Sequence, residues 1–175
     1  MMNYDIENIM FEKMKDFRLP RYSQLPDMGL YLEQTAKYIN QCLSALGSDE
    51  ITGSMIRNYV KMGLVPNPVH KQYYAHHISY LIVVAILKRV MPLEHINKLF
   101  ERKRERYTVG EAYDYFCDEM ENILYFRFGV KQTVDDIGGR SSIDKEMLRS
   151  AIIAVSHIIH VDACFAVIKD PESKK

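Results

Sequence analysis

Residues Met55–Leu81 read MIRNYVKMGLVPNPVHKQYYAHHISYL. A segment shaped by core packing alone has no need of this punctuation. A short helical run carrying Arg57 and Tyr59 halts at Gly63, two prolines follow, and a tyrosine pair leads into an apolar restart. Thr52 is placed to cap the short helix through its hydroxyl, and the helix is expected to reach about Met62. Pro66 and Pro68 exclude helix, so residues 65–74 are expected to form a loop or small hairpin. The apolar run Ile78, Leu81, Ile82, Val84, Ala85 and Leu87 predicts, over 75–90, the most buried helix of the N-terminal half.

Working outward, the spacing of Ile6, Ile9, Met10, Met14 and Phe17 predicts an amphipathic helix over 5–17. Leu32, Ala36, Ile39 and Leu43 share a face of a helix over 28–46, with Gly47 as its stop. Pro92 suits the first turn of a helix, and 92–104 is read as one, facing inward through Leu93, Ile96, Leu99 and Phe100. Thr108 opens an aromatic-rich helix to about Phe126, and 129–142, with Gly138-Gly139, is read as a loop. The last helix, 142–168, carries two apolar stripes: Ala151, Ala154, Ile158, Val161, Phe165, Ile168, and Leu148, Ile152, Val155, Ile159. A helix apolar over more than half its circumference must be covered on several sides, and a second subunit is expected to supply part of that cover. The fold class is therefore all-α. The expected organisation is an N-terminal arm over 1–27, a second unit over 28–106 and a helical dimerisation region over 107–175.

The chain has 175 residues, 47% hydrophobic and 26% charged, as ordinary globular proteins do. Its three cysteines, Cys42, Cys117 and Cys164, are odd in number and far apart, which argues against a disulfide framework and for a reducing, cytoplasmic setting. The acidic start of the chain does not read as a signal peptide. Ser156, His157, His160 and Asp162 interrupt the longest apolar stretch, so a buried helix is expected there and not a membrane span. Net charge is zero, yet residues 51–106 hold ten basic residues against three acidic ones. That local excess points to an anionic partner for this segment, with a solvated helix surface as the plainer alternative.

The order of capped helix, glycine stop, proline loop, tyrosine, apolar helix and Pro-Leu-Glu helix carries a resemblance. Ile51–Phe100 resembles the winged helix-turn-helix DNA-binding domain of MerR-type regulators: IRNYVKMGLVPNP matches that family's IRYYEKIGLLPP at Ile56, Arg57, Tyr59, Lys61, Gly63, Leu64 and Pro66, and PLEHINKLF is similar to its SLEEIRELL helix. The chain departs from the pattern at Asn58 and Val60, in a shorter wing without Gly-Tyr-Arg, in the extra residues Ser48–Glu50, and in lacking an evident long coiled coil. The whole chain also looks like a group of uncharacterised bacterial proteins that share this N-terminal half. The resemblance implies a sequence-specific transcription regulator that binds double-stranded DNA as a homodimer, with 28–106 as its MerR-like winged-helix domain and 107–175 as the region for dimerisation and sensing.

Groove geometry then assigns expected roles. Thr52, Ser54, Met55 and Asn58 face bases or sugar edges, while Arg57, Tyr59 and Lys61 hold the backbone, joined by Lys71 and Tyr73 or Tyr74 from the wing. The plainer readings are a core aromatic for Tyr59, a surface ion pair for Arg57 and a wing-to-core pin for Tyr74. His157, His160 and Cys164 lie at i, i+3 and i+7, a spacing open to metal ligation, but a polar seam against another helix is the better reading and no metal or cofactor is expected. His76-His77 near His70 is a weaker metal reading still. The 101–106 charge run reads as a solvated helix end. The aromatic set Tyr107, Tyr113, Tyr115, Phe116, Tyr125, Phe126 and Phe128 reads as core, or as the lining of a small-molecule effector pocket. No catalytic motif emerges, so an enzyme is not expected. The alternative function is a winged-helix-derived module for protein interaction or small-molecule sensing, without DNA binding.

Overall fold

The computed structural model describes residues 2–47 and 49–168. Among the described residues the chain forms seven α-helices: α1 Met2–Met14, α2 Leu32–Leu43, α3 Gly53–Lys61, α4 Ala75–Leu87, α5 Leu93–Arg104, α6 Val109–Arg127 and α7 Ile143–Ile168. Single 3₁₀ turns add Tyr22–Gln24 and Ser44–Leu46. Extended pairing among these residues is confined to two isolated bridges, Leu30 with Tyr73 and Val69 with Gln72. The chain is all-α, as its periodicity requires.

Local chemistry sets the helix ends. The Thr52 Oγ1 accepts from the Met55 N–H at 3.2 Å and caps α3. Gly63, at φ +75°, turns the chain out of α3 in a conformation that side chains disfavour. Thr108 and Glu111 form a reciprocal capping box at the start of α6: the Glu111 N–H reaches Thr108 Oγ1 at 3.2 Å and the Thr108 N–H reaches Glu111 Oε2 at 2.9 Å. Several boundaries differ from expectation, among them the end of α4 at Leu87 where 90 is expected. α2 begins at Leu32 and not at Met28, because Leu30 exchanges backbone hydrogen bonds of 2.9 and 2.8 Å with Tyr73 and is held extended. α1 stops at Met14 and not at Phe17, because the chain turns there to bury Phe17 and Leu19.

α4 is the central helix. Ile78, Leu81, Ile82, Val84 and Leu87 have no exposed surface, and each such side chain contributes about 1.5–3 kcal/mol of burial. α6 packs between α4 and α7, so one continuous core runs from Met10 to Ala163. Segment 17–22 is strapped across α6 by polar bonds. The Glu121 carboxylate, in the core, accepts from the Leu19 N–H at 2.8 Å and from both terminal nitrogens of Arg21 at 2.9 and 2.8 Å. The Tyr113 hydroxyl donates to the Pro20 carbonyl at 2.9 Å, and the Tyr125 hydroxyl donates to that of Phe17.

α7 has two unlike faces. Leu148, Ala151, Ile152, Val155, Ile159 and Ala163 are buried and close the core. Met147, Ile158, Val161, Phe165 and Ile168 are 37–58% exposed along the outer face. By length and composition α7 could cross a membrane, a test that core helices also pass. Of the two stripes read from the sequence, the single chain covers Leu148–Ile159 together with Ala151 and leaves most of the other open.

Candidate functional site

α3 is amphipathic to its last turn. Gly53, Ile56 and Tyr59 face the core, while Ser54, Arg57, Asn58 and Lys61 are exposed at i, i+3, i+4 and i+7. No carboxylate among the described residues is ion-paired with Arg57 or Lys61. The exposed face is therefore a strip of two cations, an amide and a hydroxyl. Thr52 is exposed too, but its oxygen is engaged as the cap. Met55 is half-buried against the core, and the Asn58 amide donates to Met62 Sδ at 3.5 Å.

The proline loop that follows α3 closes on itself. Val69 and Gln72 exchange both backbone hydrogen bonds, 3.0 and 2.9 Å, around His70 and Lys71, which sit at φ +49° and +64°. Two successive positive φ values make the type I′ geometry that a two-residue hairpin needs, here without glycine. Lys71 is thereby presented to solvent at the tip. Tyr73 lies on the inner side. Burial raises its hydroxyl pKa and the nearby Arg57 charge opposes the rise, which places α3 and the hairpin side by side.

Two of the expected phosphate contacts differ from expectation. Tyr59 and Tyr73 are each 4% exposed and act as packing residues that seat α3 and the hairpin on the core. Both occupy the inward position of their element, where aromatic area is worth most. Ser54, Arg57, Asn58, Lys61 and Lys71 remain at the surface, as expected. The basic excess over 51–106 is partly spent inside the fold: Arg89 pairs with Asp162, Lys98 with Glu94 at 2.8 Å and Arg102 with Asp144 at 2.5 Å. What is left for an anion at α3 is Arg57, Lys61 and Lys71. On the other side, Glu33 and Glu50 line a shallow depression beside Thr52.

His77 holds the loop in place, a role the sequence reading missed. Fully buried, it accepts from the Tyr74 N–H through Nδ1 at 2.9 Å, and its Nε2 lies 2.9 Å from the Asn67 carbonyl. Accepting at Nδ1 leaves the proton on Nε2 to donate to Asn67, so the neutral Nε2–H tautomer satisfies both bonds. Burial lowers its pKa, the Asn67 bond opposes this and the adjacent His76 adds to the lowering. Both nitrogens are used, so His77 has none to give a metal. A histidine three residues into a helix that follows a tight loop is the signal that could have revealed this, as the capping-box glutamate analogue. At the far end, His160 Nδ1 faces Arg127 at 3.2 Å and Cys164 Sγ at 3.8 Å and packs edge-on to Phe128, whereas His157 is exposed. A guanidinium against the imidazole opposes a second cation. Among the described residues no group of three or more His, Cys, Asp or Glu side chains is placed to hold a metal.

No curated protein and no solved structure matches the chain. The family described as "Domain of unknown function (DUF1836)" matches residues 20–116, which spans α2 through α5, the hairpin and the first part of α6. On that match, over more than half its length, the chain belongs to the DUF1836 family.

Proposed function

We propose that the protein is a sequence-specific DNA-binding transcription regulator, with α2–α5 as a MerR-like winged helix, the His70-Lys71 hairpin as a reduced wing, and a homodimer as the active form. The observation that carries this reading is the exposed, acid-free face of α3, Ser54, Arg57, Asn58 and Lys61, beside Lys71 at the hairpin tip. An α-helix fits the major groove, where Asn and Ser read base edges while Arg and Lys hold phosphates. Tyr59 and Tyr73 support the reading indirectly, by fixing the angle at which that face is offered.

The outer face of α7 supports the dimer. Pairing its exposed apolar residues about a two-fold axis would cover the face that the single chain leaves open. The few charges along that stripe suit a self-complementary contact. Such a dimer would read two half-sites about 34 Å apart or a multiple of it. The setting is cytoplasmic and the role non-catalytic. A second reading, a protein-interaction module on the same scaffold, is favoured by Glu33 and Glu50 beside the start of α3, where they would repel phosphate.

Selection of bound genomic fragments by the full chain, with Arg57→Ala and Asn58→Ala alongside, separates the two. The regulator reading expects a palindromic site. Arg57→Ala should weaken all DNA alike and lower the salt slope by about 1, and Asn58→Ala should change the preferred sequence. No enrichment at any salt would leave the interaction module, and unchanged affinity in Arg57→Ala would refute the residue assignment.

A further inference from the structure

A cleft away from α3 opens between α4, α5 and α6, with Leu148 of α7 at its base. Its floor, Val83, Leu99, Phe100, Tyr113 and Phe116, is buried and apolar. The space in the cleft is about 70 Å³, roughly half that of a ~150 Å³ cavity that binds benzene. A short branched alkyl group suits this space.

The neutral polar groups of the wall are already committed. Ser79 Oγ donates to the His76 carbonyl at 2.8 Å, the Tyr113 hydroxyl donates to Pro20, and Thr108 is engaged in the α6 cap. Two cations stand at the mouth without a paired carboxylate. Lys103 Nζ lies 5.2 Å from the Tyr107 ring centroid and 5.6 Å from that of Tyr115. Burial pushes its pKa down, Asp144 opposes this, and Lys145 and Arg106 add to the lowering. The Arg104 guanidinium stands 5.3 Å over Tyr80, with its Nε 3.2 Å from the Tyr80 hydroxyl. Neighbouring ion pairs take Glu94 to Lys98 and Asp144 to Arg102. Among the described residues no carboxylate is paired with Lys103 or Arg104. A half-buried ammonium without a paired carboxylate gains from an anion.

We propose that this cleft binds a short branched aliphatic carboxylic acid, its hydrocarbon end in the apolar floor and its carboxylate between Lys103 and Arg104. The guanidinium supplies planar two-point recognition of a carboxylate and the ammonium a point charge. Tyr107, exposed on the rim, supplies a side wall for the alkyl group. The site is independent of the α3 surface, so it stands whether or not the protein binds DNA.

Calorimetric titration of the full chain with 3-methylbutanoate, 3-methylbutanamide and acetate tests this. Lys103→Met and Arg104→Met, at the mouth of the cleft, are checked for unchanged melting. The acid is expected to bind with a dissociation constant of about 1 mM or tighter, a value within reach of so small a ligand. Acetate, which lacks the alkyl group, should bind more than about tenfold more weakly. Each substitution should weaken the acid about tenfold and leave the neutral amide unaffected. No saturable binding of the acid, equal binding of acid and amide, or full affinity in both variants would overturn the proposal.

Discussion

Replacing His77 by phenylalanine keeps a ring of similar shape against Tyr73, whose centroid lies 5.6 Å away edge-on, and removes both nitrogens. The Tyr74 N–H and the Asn67 carbonyl then lose their partners. Asn67 is exposed and can turn to water, but the Tyr74 amide opens a buried helix, so the two losses together cost about 2–3 kcal/mol near neutral pH. The pH dependence is a sharper test. Because burial holds the folded-state pKa of His77 below its ordinary value, the unfolded chain takes up the proton first. Stability is thus intact above about pH 6.5 and is lost as pH falls from there through the folded-state pKa, by at most about 1.4 kcal/mol per unit. Urea unfolding at about pH 7.5 and about pH 5.5 should show the wild type losing more stability than His77→Phe, by up to about 1.4 kcal/mol. His76 and His160 are also lowered by burial, but both are present in the two proteins and cancel to first order. Amide exchange at Val69 and Gln72 should quicken in the variant, as the hairpin loses its pin. A variant within about 0.5 kcal/mol of wild type, or with the same pH dependence, would refute the assignment of His77 as a neutral, doubly bonded anchor.

Three further outcomes are expected. Glu121→Ala leaves the Leu19 amide without a partner and takes two bonds from the Arg21 guanidinium, and should cost about 3–5 kcal/mol in denaturant unfolding, whereas Asp118→Ala, which removes a partner that is 50% exposed, should cost less than about 1 kcal/mol. Equal costs would mean that Glu121 does not hold the strap. Glu119 is 1% exposed and lies 2.5 Å from Arg149, yet neither of its oxygens accepts a hydrogen bond. Burial raises its pKa against the pull of Arg149, so it favours folding at low pH and that contribution is lost as pH rises. Glu119→Gln should therefore gain on wild type as pH rises from about 4.5 to neutrality in parallel unfolding series, and a gain on acidification would contradict this. On the proposed dimer, Ile158→Glu with Phe165→Glu should yield a monomer of unchanged helicity in sedimentation, and a monomeric wild type would refute that interface.

Helix positions were legible where chemistry is local. Thr52, Gly63 and Thr108 cap or stop helices through neighbours three or four residues away, and the structure uses them as read. What was not legible depends on partners distant in sequence. The start of α2 is decided by Tyr73, forty residues on, and the end of α1 by the need to bury Phe17 and Leu19 against α6. Tyr59 and Tyr73 sit in motifs compatible with either a surface or a core role, and only the packed helices decide between them. The charge excess over 51–106 counted Arg89 and Arg102 as available, yet their partners Asp162 and Asp144 lie on α7. The positive φ of His70 and Lys71 was equally hidden, because neither residue advertises the hairpin as glycine or asparagine would.

The strap over α6 has a kinetic consequence. Its bonds join Leu19 to Glu121, Pro20 to Tyr113 and Tyr22 to Asp114, pairs separated by 102, 93 and 92 positions. Closing a loop of that length costs entropy that no local contact repays in advance. During synthesis residues 17–22 emerge well before α6 and must wait, Phe17 and Leu19 uncovered, until α6 has left the ribosome. α2–α5 can associate through shorter-range contacts in the meantime, and the strap then closes over a core already begun. A segment made before its partner helix is thus the last to find its place.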